Sequence, residues 1–447
     1  MKAHNRILIA MIFSMTMGYM PWYNFSAVVK YLSEEYQLNS ADTGLILSAF
    51  QAGYVIVVAC IGWLADRVSL KKILFYATLG TGVFSTLFIW GAQGKMSILA
   101  LRLLIGLSAG AIYIPGLSLL SRWFPPHRRG AAMGAYNAAL VGAYAGGYLV
   151  ASQLSVAYGW RAGILWTSLP AFLGALAIHF FVSDFPEEPA ESTLAGRAGQ
   201  PRNVPGATRP GAEECDLAPV CGPGNAAGNC LAAPAGGYTG PVVISGAYVG
   251  HMWELYAFWG WIGPFLIASL MSQGIPTDKA VSWGGTITAG IILLGAPSSW
   301  LWGIVADKKG RTFAIIVAGA CSVAGEIILG YLFGQSLALI VLVGGWIGFW
   351  VISDGAVYKA GLVEMVSPRI CGLSLGLQSV AGFGITIVSP AVFGIVLQWY
   401  NGDVDPTVVT IWAPAFLILA LGGIIAPITA FVLRRLPQAK LMCGGKM

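Results

Sequence analysis

The feature that most constrains this chain is a series of twelve apolar stretches, each close to the roughly 20 residues that a helix needs to cross a bilayer. They form two groups of six, which we number as spans 1 to 12. The spans are residues 7–31, 42–65, 72–93, 97–121, 130–155, 161–182, 242–270, 281–305, 312–333, 337–363, 370–398 and 408–433. Only 10% of the residues are charged, against about 25% in an average soluble protein. We therefore predict an all-α polytopic membrane protein, with twelve transmembrane helices in two six-helix bundles.

The two groups of six carry the same short phrase at corresponding places. Residues 62–67 (GWLADR) and 303–308 (GIVADK) each end a span, and their aspartates, Asp66 and Asp307, lie 241 residues apart. Internal repeats in a membrane protein relate two halves by a pseudo-symmetry axis, and ligand sites form where the halves meet. The repeat therefore predicts two pseudo-symmetric bundles with a site between them.

Charge and composition divide the chain and orient it. The segment 183–240 is rich in Gly, Pro and Ala, so we interpret it as a flexible linker between bundles at 1–182 and 241–436, with 437–447 as a tail. Nineteen of the 25 Lys and Arg fall in loops or termini on one side, which we call the basic side, and four on the other, the distal side. The positive-inside rule predicts that both termini and the linker are cytoplasmic, in a cell (inner or plasma) membrane.

No catalytic or metal-binding motif occurs in the sequence. The P-loop, H-E-x-x-H, G-x-S-x-G and paired C-x-x-C patterns are missing, which argues against an ATP-driven pump or a common membrane hydrolase. Cys215, Cys221 and Cys230 share the linker at spacings unlike a metal site, so we expect free thiols there. We predict no enzyme activity, no cofactor, no metal and no nucleic-acid partner. The protein is expected to be a monomer in contact with lipid.

Two motifs carry a family resemblance. Their residues are Gly62, Asp66, Arg67, Lys71 and Lys72 in the first half, Asp307, Lys308, Lys309 and Arg311 in the second, and Arg102, Gly106 and Gly110 in span 4. With the six-plus-six arrangement, they resemble the major facilitator superfamily over nearly the whole chain outside the linker. The resemblance implies a secondary transporter. The first copy departs from the family pattern at Ser69 and Leu70, and span 5 lacks the Gly-Pro pair of many antiporters, which disfavours an exporter.

The repeated charges are predicted to act as latches on the basic side. The predicted gating residues are Asp66, Arg67, Lys72, Asp307, Lys308 and Arg311. An aspartate at a helix end can accept hydrogen bonds from backbone N–H groups at a neighbouring helix N-terminus. The adjacent cations can pair with carboxylates of the other bundle only when the basic side is closed, so they would bias one conformation. Alternatively, these charges only determine topology.

Span 7 contains two ionisable groups. An ionisable group inside a membrane helix is energetically costly, so each one is a candidate site residue by default. His251 and Glu254 are three residues apart and share a helix face with Trp261. Both side chains can exchange protons, so we predict substrate or proton binding. Residues 251–256 (HMWELY) are loosely similar to span 7 of cyanate- and nitrate-type members of the superfamily. The alternative is a His–Glu pair that only fixes helix packing.

Spans 4, 9 and 10 contain the remaining candidates. Asp354 and Tyr358 lie one turn apart in span 10, followed by Lys359, whose ammonium group could instead extend to the membrane surface. Arg102 stays charged at any relevant pH, so it needs an anion and is predicted to couple or gate, or else to form a structural ion pair. Glu326 in span 9 is interpreted as structural, because the third helix of each three-helix unit packs peripherally in the resembled family.

Aromatic residues complete the predicted site. Tyr23, Tyr113 and Trp261 each lie near a proline, where a bent helix can line a cavity. The alternative for each is ordinary packing. We expect a secondary active transporter that works by alternating access, coupled to protons and moving a small organic or inorganic anion. The alternatives are a proton-driven exporter of amphipathic or cationic compounds, and a transporter-like membrane sensor or scaffold.

Overall fold

The structure, a computed structural model, describes residues 3–65, 67–185, 237–367 and 370–446. Eleven helical segments in these ranges are long and apolar enough to cross a membrane, and span 1 is a twelfth, divided into three shorter helices. The fold prediction is confirmed: the chain is an all-α, multi-pass membrane protein. Most of the predicted linker, with its three cysteines, lies outside the described residues, and so does Asp66.

The first half contains six spans. Their helices are Ala3–Tyr19, Asn24–Ala27 and Val29–Tyr36 (span 1), Ser40–Ala65 (span 2), Leu70–Gly91 (span 3), Lys95–Ala109 and Tyr113–Trp123 (span 4), Pro126–Tyr158 (span 5), and Trp160–Phe181 (span 6).

The second half repeats this order. Its helices are Thr239–Ser272 (span 7), Thr277–Leu293 and Gly295–Lys309 (span 8), Arg311–Tyr331 (span 9), Leu337–Trp350 and Gly355–Met365 (span 10), Cys371–Ile385 and Ser389–Asn401 (span 11), and Ala413–Gly423 and Ile425–Arg434 (span 12). A short 3₁₀ helix, Pro437–Gly445, follows where the sequence predicts a tail, and it is broken by a kink at residues 442–444. It packs on the second helix of span 10, and Met442 is buried there.

Spans 2 and 4 cross at backbone contact, which explains the glycine of the motif in span 4. A Cβ atom at Gly106 would collide with the carbonyl oxygen of Phe50, and one at Gly53 would collide with that of Leu103. Small residues let membrane helices approach this closely, and van der Waals packing then holds them. Arg102, one turn before Gly106, is thereby fixed in the interior of the first half.

The two halves meet most closely on the distal side. Span 2 packs on span 11 and span 5 on span 8, and Gln153 donates hydrogen bonds of 2.9 Å to both the Ser282 carbonyl and the Thr286 hydroxyl. Lys30 forms an ion pair of 3.3 Å with Asp405 across the same boundary. These contacts hold the distal ends of the bundles together in this conformation.

Candidate functional site

A cluster of titratable side chains lies inside the second half, between spans 7 and 10. His251 Nδ1 is 3.0 Å from Asp354 Oδ1, and the Tyr358 hydroxyl donates a 2.6 Å hydrogen bond to Asp354 Oδ2. All three residues are at most 4% exposed. The helix of span 10 is interrupted at 351–354, which places Asp354 at the start of its second helix. The imidazole therefore pairs with Asp354, and not with Glu254 as the packing alternative supposed.

Glu254 is held by span 9. Its carboxylate accepts a hydrogen bond from the Ser322 hydroxyl, and Glu254 is 2% exposed. Gly423 of span 12 makes room for it, because a Cβ atom there would lie only 2.5 Å from Glu254 Oε2. His251, Glu254, Ser322, Asp354 and Tyr358 line one small space, which we call the titratable pocket. It lies within one bundle and not at the interface of the halves, where the repeat predicted a site.

Glu326 is the acidic group that the sequence analysis set aside as structural. It is completely buried, and neither carboxylate oxygen has a hydrogen-bond partner among the described residues. It lies one turn beyond Ser322, so the two side chains share a helix face. The structural role predicted for Glu326 stays a prediction.

Arg102 is not paired with a carboxylate among the described residues. Pro21 interrupts span 1, since proline lacks an N–H group and clashes with the preceding turn. The helix is interrupted over residues 20–23, and the guanidinium of Arg102 donates to two carbonyls in this break, at 3.2 Å to Pro21 and 2.8 Å to Trp22. It also lies 4.5 Å from the ring centre of Phe50. In this conformation Arg102 stabilises the break in span 1, and its substrate or coupling role stays a prediction.

Two of the predicted aromatic residues are packing residues in this conformation. Trp261 is fully buried and donates a 3.1 Å hydrogen bond to the Pro390 carbonyl in span 11. Tyr23 stacks on Tyr148 of span 5 with ring centres 5.9 Å apart, and it is 2% exposed. The Tyr148 hydroxyl in turn donates 2.8 Å to the Trp259 carbonyl of span 7. Both residues therefore belong to contacts between helices.

Tyr113 belongs to a different group, at the interface of the halves. Its hydroxyl donates 3.1 Å to Asn137 Oδ1 of span 5, and Tyr113 is partly exposed. At the same interface, the rings of Tyr54 and Tyr256 lie 5.1 and 6.1 Å from the Phe383 ring of span 11, and Tyr248 packs on the adjacent Gly382. We call these four tyrosines, from spans 2, 4 and 7, the tyrosine group. They bring several hydroxyl groups together where the repeat predicted a ligand site.

Lys359 supplies a cation beside this group. Its ammonium nitrogen lies 6.0 Å from the ring centre of Tyr248, and the residue is partly exposed. Lys359 follows Tyr358 directly in the chain, so one short segment of span 10 serves both the titratable pocket and the tyrosine group.

The predicted latch residues are only partly arranged as expected. Asp307 pairs with Arg311 at 2.5 Å, and Arg311 also contacts Glu364 of span 10 at 2.9 Å, all within the second half. Arg67, Lys72 and Lys308 are exposed on the basic side. Whether these residues gate the protein stays a prediction.

Asp184, from the end of span 6, lies at the N-terminus of span 3. Its carboxylate accepts from the Lys71 backbone N–H at 2.9 Å and from the Ser69 hydroxyl at 2.5 Å. Ser69 also caps the helix by accepting from the Lys72 backbone N–H. This is the chemistry that the sequence analysis assigned to Asp66.

Comparison with known proteins places the chain in a family. The sequence model of the Major Facilitator Superfamily matches residues 11–359. The hexuronate transporter of Bacillus subtilis (strain 168) is 22% identical, over 83% of each chain. The probable sulfoacetate transporter of Cupriavidus necator is 28% identical over 43% of this chain and 44% of its own.

Solved structures agree on the fold. A bacterial homolog of the human lysosomal transporter Spinster, in an inward-facing and occupied conformation, gives a TM-score of 0.71 at 14% identity over 97% of each chain. A D-xylose–proton symporter gives 0.69 at 16% identity, over 97% of this chain and 98% of its own. The chain belongs to the major facilitator superfamily and is a secondary transporter.

Proposed function

We propose that this protein carries a small organic anion across the membrane together with protons. The observation that carries the proposal is the titratable pocket, in which Asp354 contacts both His251 and Tyr358 while Glu254 lies in the same small space. Ionisable groups in a membrane interior are expensive and mark ion pathways and proton relays. We take this pocket as the proton-binding site.

The geometry suggests how a proton could be held and released. When His251 is protonated, it forms an ion pair with the Asp354 carboxylate, so the buried pair has no net charge. When His251 is neutral, its Nδ1–H group can still donate a hydrogen bond to Asp354, but the carboxylate no longer faces a balancing positive charge. A buried carboxylate without a balancing charge is less stable, so proton loss would be linked to a rearrangement of span 10. That span also carries Lys359.

The substrate is proposed from the tyrosine group and its cation. Known relatives include a hexuronate transporter, a D-galactonate transporter of Escherichia coli and a probable galactarate/D-glucarate transporter of Escherichia coli. Phenol hydroxyls and the amide of Asn137 can hydrogen-bond the hydroxyl groups of such molecules, and Lys359 can pair with a carboxylate. We therefore propose a polyhydroxylated carboxylate as the substrate class.

Transport would follow from opening and closing of the two halves around this central site. The ion pair and hydrogen bonds on the distal side close that side in this conformation. Since the basic side is predicted to face the cytoplasm, the distal side faces the exterior. This conformation is therefore the one closed to the exterior. A ligand shifts such an equilibrium only by binding one state better than the other.

Counterflow in proteoliposomes tests the substrate. Vesicles containing the purified protein are loaded with unlabelled galacturonate, galactonate, galactarate or sulfoacetate, and entry of the same labelled compound is recorded. Neutral galactose is the matched control, since it keeps the hydroxyl groups and lacks the carboxylate. We expect an acid to exchange and galactose not to. Equal exchange of galactose would refute anion selectivity, and no exchange of any compound would favour the sensor or scaffold interpretation.

Neutralising variants test the proton site. Asp354→Asn and Glu254→Gln should retain counterflow but lose accumulation driven by a pH gradient by at least about tenfold, because a tenfold change needs only about 1.4 kcal/mol. Glu34→Gln is the control, since its side chain is 55% exposed and distant from the pocket. If both pocket variants accumulate the anion as the wild type does, the titratable pocket is not the proton site.

A further inference from the structure

Glu326 has no role in the mechanism above, yet its burial is hard to explain as packing alone. It is completely buried in span 9, with both carboxylate oxygens unpaired in the described part of the chain. Buried polar groups are almost always hydrogen-bonded, and an exception calls for a reason. A charged carboxylate without a partner is very unfavourable there, so Glu326 is expected to carry a proton in this conformation.

The acid associated with Glu326 through span 9 is Glu254. Ser322, one turn earlier on the same face of span 9, donates a hydrogen bond from its hydroxyl to the Glu254 carboxylate. Two carboxyl groups that share a low-dielectric site do not ionise independently. The Ser322 hydroxyl can both donate and accept a hydrogen bond.

The other charged groups on the elements around span 9 lie elsewhere. Spans 8, 10 and 12 and the 3₁₀ helix pack on it, and span 7 reaches it through Glu254. Their mid-membrane titratable groups are Tyr248, His251, Glu254, Tyr256, Asp354, Tyr358 and Lys359. Those near the basic side are Asp307, Lys308, Lys309, Glu364, Arg434, Arg435, Lys440, Cys443 and Lys446, and Asp278 and Lys279 lie at the distal end of span 8. Of the mid-membrane groups in the described part of the chain, Glu254 is the one that is hydrogen-bonded to span 9, through Ser322.

We infer that Glu326 is a second proton-binding site, which exchanges its proton with Glu254 through the Ser322 hydroxyl. Glu326 makes no hydrogen bond to Ser322 in this conformation, so the exchange requires a rotation of the Glu326 side chain towards that hydroxyl. The O–H bond of Glu326 then breaks as Ser322 accepts that proton, and Ser322 passes its own proton to Glu254, so the serine is unchanged. Span 9 ends five residues beyond Glu326 at Tyr331 on the distal side, about 8 Å along a helix. Glu326 therefore lies between the titratable pocket and the distal side. This inference rests on the proposed proton coupling.

Infrared difference spectroscopy tests the exchange without a substrate. The full chain is reconstituted in lipid vesicles, and the carbonyl stretch of protonated buried carboxyl groups is followed as the pH is changed. We expect Glu326→Gln to remove one band and to change the pH midpoint of the Glu254 band by about one pH unit, as for strongly interacting sites. Glu34→Gln, which alters an exposed acid, should leave both bands and midpoints as in the wild type.

The reverse substitution makes the test independent of any one variant. Since coupling is reciprocal, Glu254→Gln should change the midpoint of the Glu326 band by the same amount, even if Glu326→Gln fails to fold. If either folded variant leaves the remaining midpoint unchanged, the two acids are independent and the inference is wrong. A coupled pair in a protein that moves no anion would refute the proposed function alone.

Discussion

The ion pair between Lys30 and Asp405 predicts a measurable change in which side of the protein is open. Lys30 lies at the distal end of span 1 and Asp405 in the loop between spans 11 and 12, so their contact joins the two halves. The side chain of Lys30 is 5% exposed and that of Asp405 is 17% exposed. Lys30 also contacts Glu34, whose side chain is 55% exposed and belongs to the same half.

The size of the effect follows from this burial. Exposed pairs contribute about 0.2–1 kcal/mol, whereas breaking a fully buried pair costs about 3–5 kcal/mol. A pair with one buried and one partly buried member should lie between these limits, near about 2 kcal/mol. Since Asp405 and Lys30 separate when the distal side opens, Asp405→Asn should favour the open state by about 30-fold, at about 1.4 kcal/mol per factor of ten.

Double electron–electron resonance can measure this equilibrium. Spin labels replace Tyr158 and Lys279, two exposed residues on the distal side of different halves, after the native cysteines have been replaced. Asp405→Asn should increase the population at the longer label distance, and Glu34→Gln should leave the distribution nearly unchanged. If Asp405→Asn leaves the distances of the parent protein, or if Glu34→Gln has the larger effect, the ion pair does not close the distal side.

Further predictions concern stability. Gly106→Leu should destabilise the protein by about 1–3 kcal/mol through overpacking against Phe50, whereas Gly134→Ala, which meets no neighbour, should not; thermal denaturation in detergent distinguishes them. At the exposed distal end of the helix Val29–Tyr36, burial opposes ionisation of Glu35, but the hydrogen bonds from Arg161 and Trp160 and the charge of Arg161 together outweigh it and lower the pKa of Glu35. A lowered pKa stabilises the fold at neutral pH, so Glu35→Gln should cost at most about 1 kcal/mol there. That difference should decrease as the pH falls below about 4 and vanish once the pH is below the lowered pKa of Glu35, and a constant difference across pH would contradict the argument.

The number and order of the spans could be predicted from the sequence because they depend on the length of apolar stretches and the low charge. The interruptions within spans were less accessible. Pro21 predicts the break in span 1, but no proline lies at the break before Gly355 in span 10. The break in span 10 is explained only by its packing on span 7, where a Cβ atom at Gly355 would lie 3.3 Å from His251 Nε2.

The candidate site shows a sharper limit. Helical spacing correctly identified His251 and Glu254 as residues of one helix, but it could not tell which neighbouring helix each would face. In the structure, His251 contacts Asp354 of span 10, and Glu254 accepts a hydrogen bond from Ser322 of span 9. Glu326 was set aside because the position of span 9 in the bundle was inferred from a family pattern. The rotation of each helix about its axis depends on packing, which periodicity within one span does not determine.

The most direct test of the proposed function measures anion and proton entry in the same vesicles. The anion with the strongest counterflow is added outside proteoliposomes that contain a pH-sensitive dye, and both its uptake and the internal pH are recorded. Coupled transport predicts that the interior acidifies in constant proportion to anion entry, and that Glu254→Gln loses this acidification. Anion entry without any acidification, in vesicles that hold a pH gradient when the protein is absent, would contradict proton coupling.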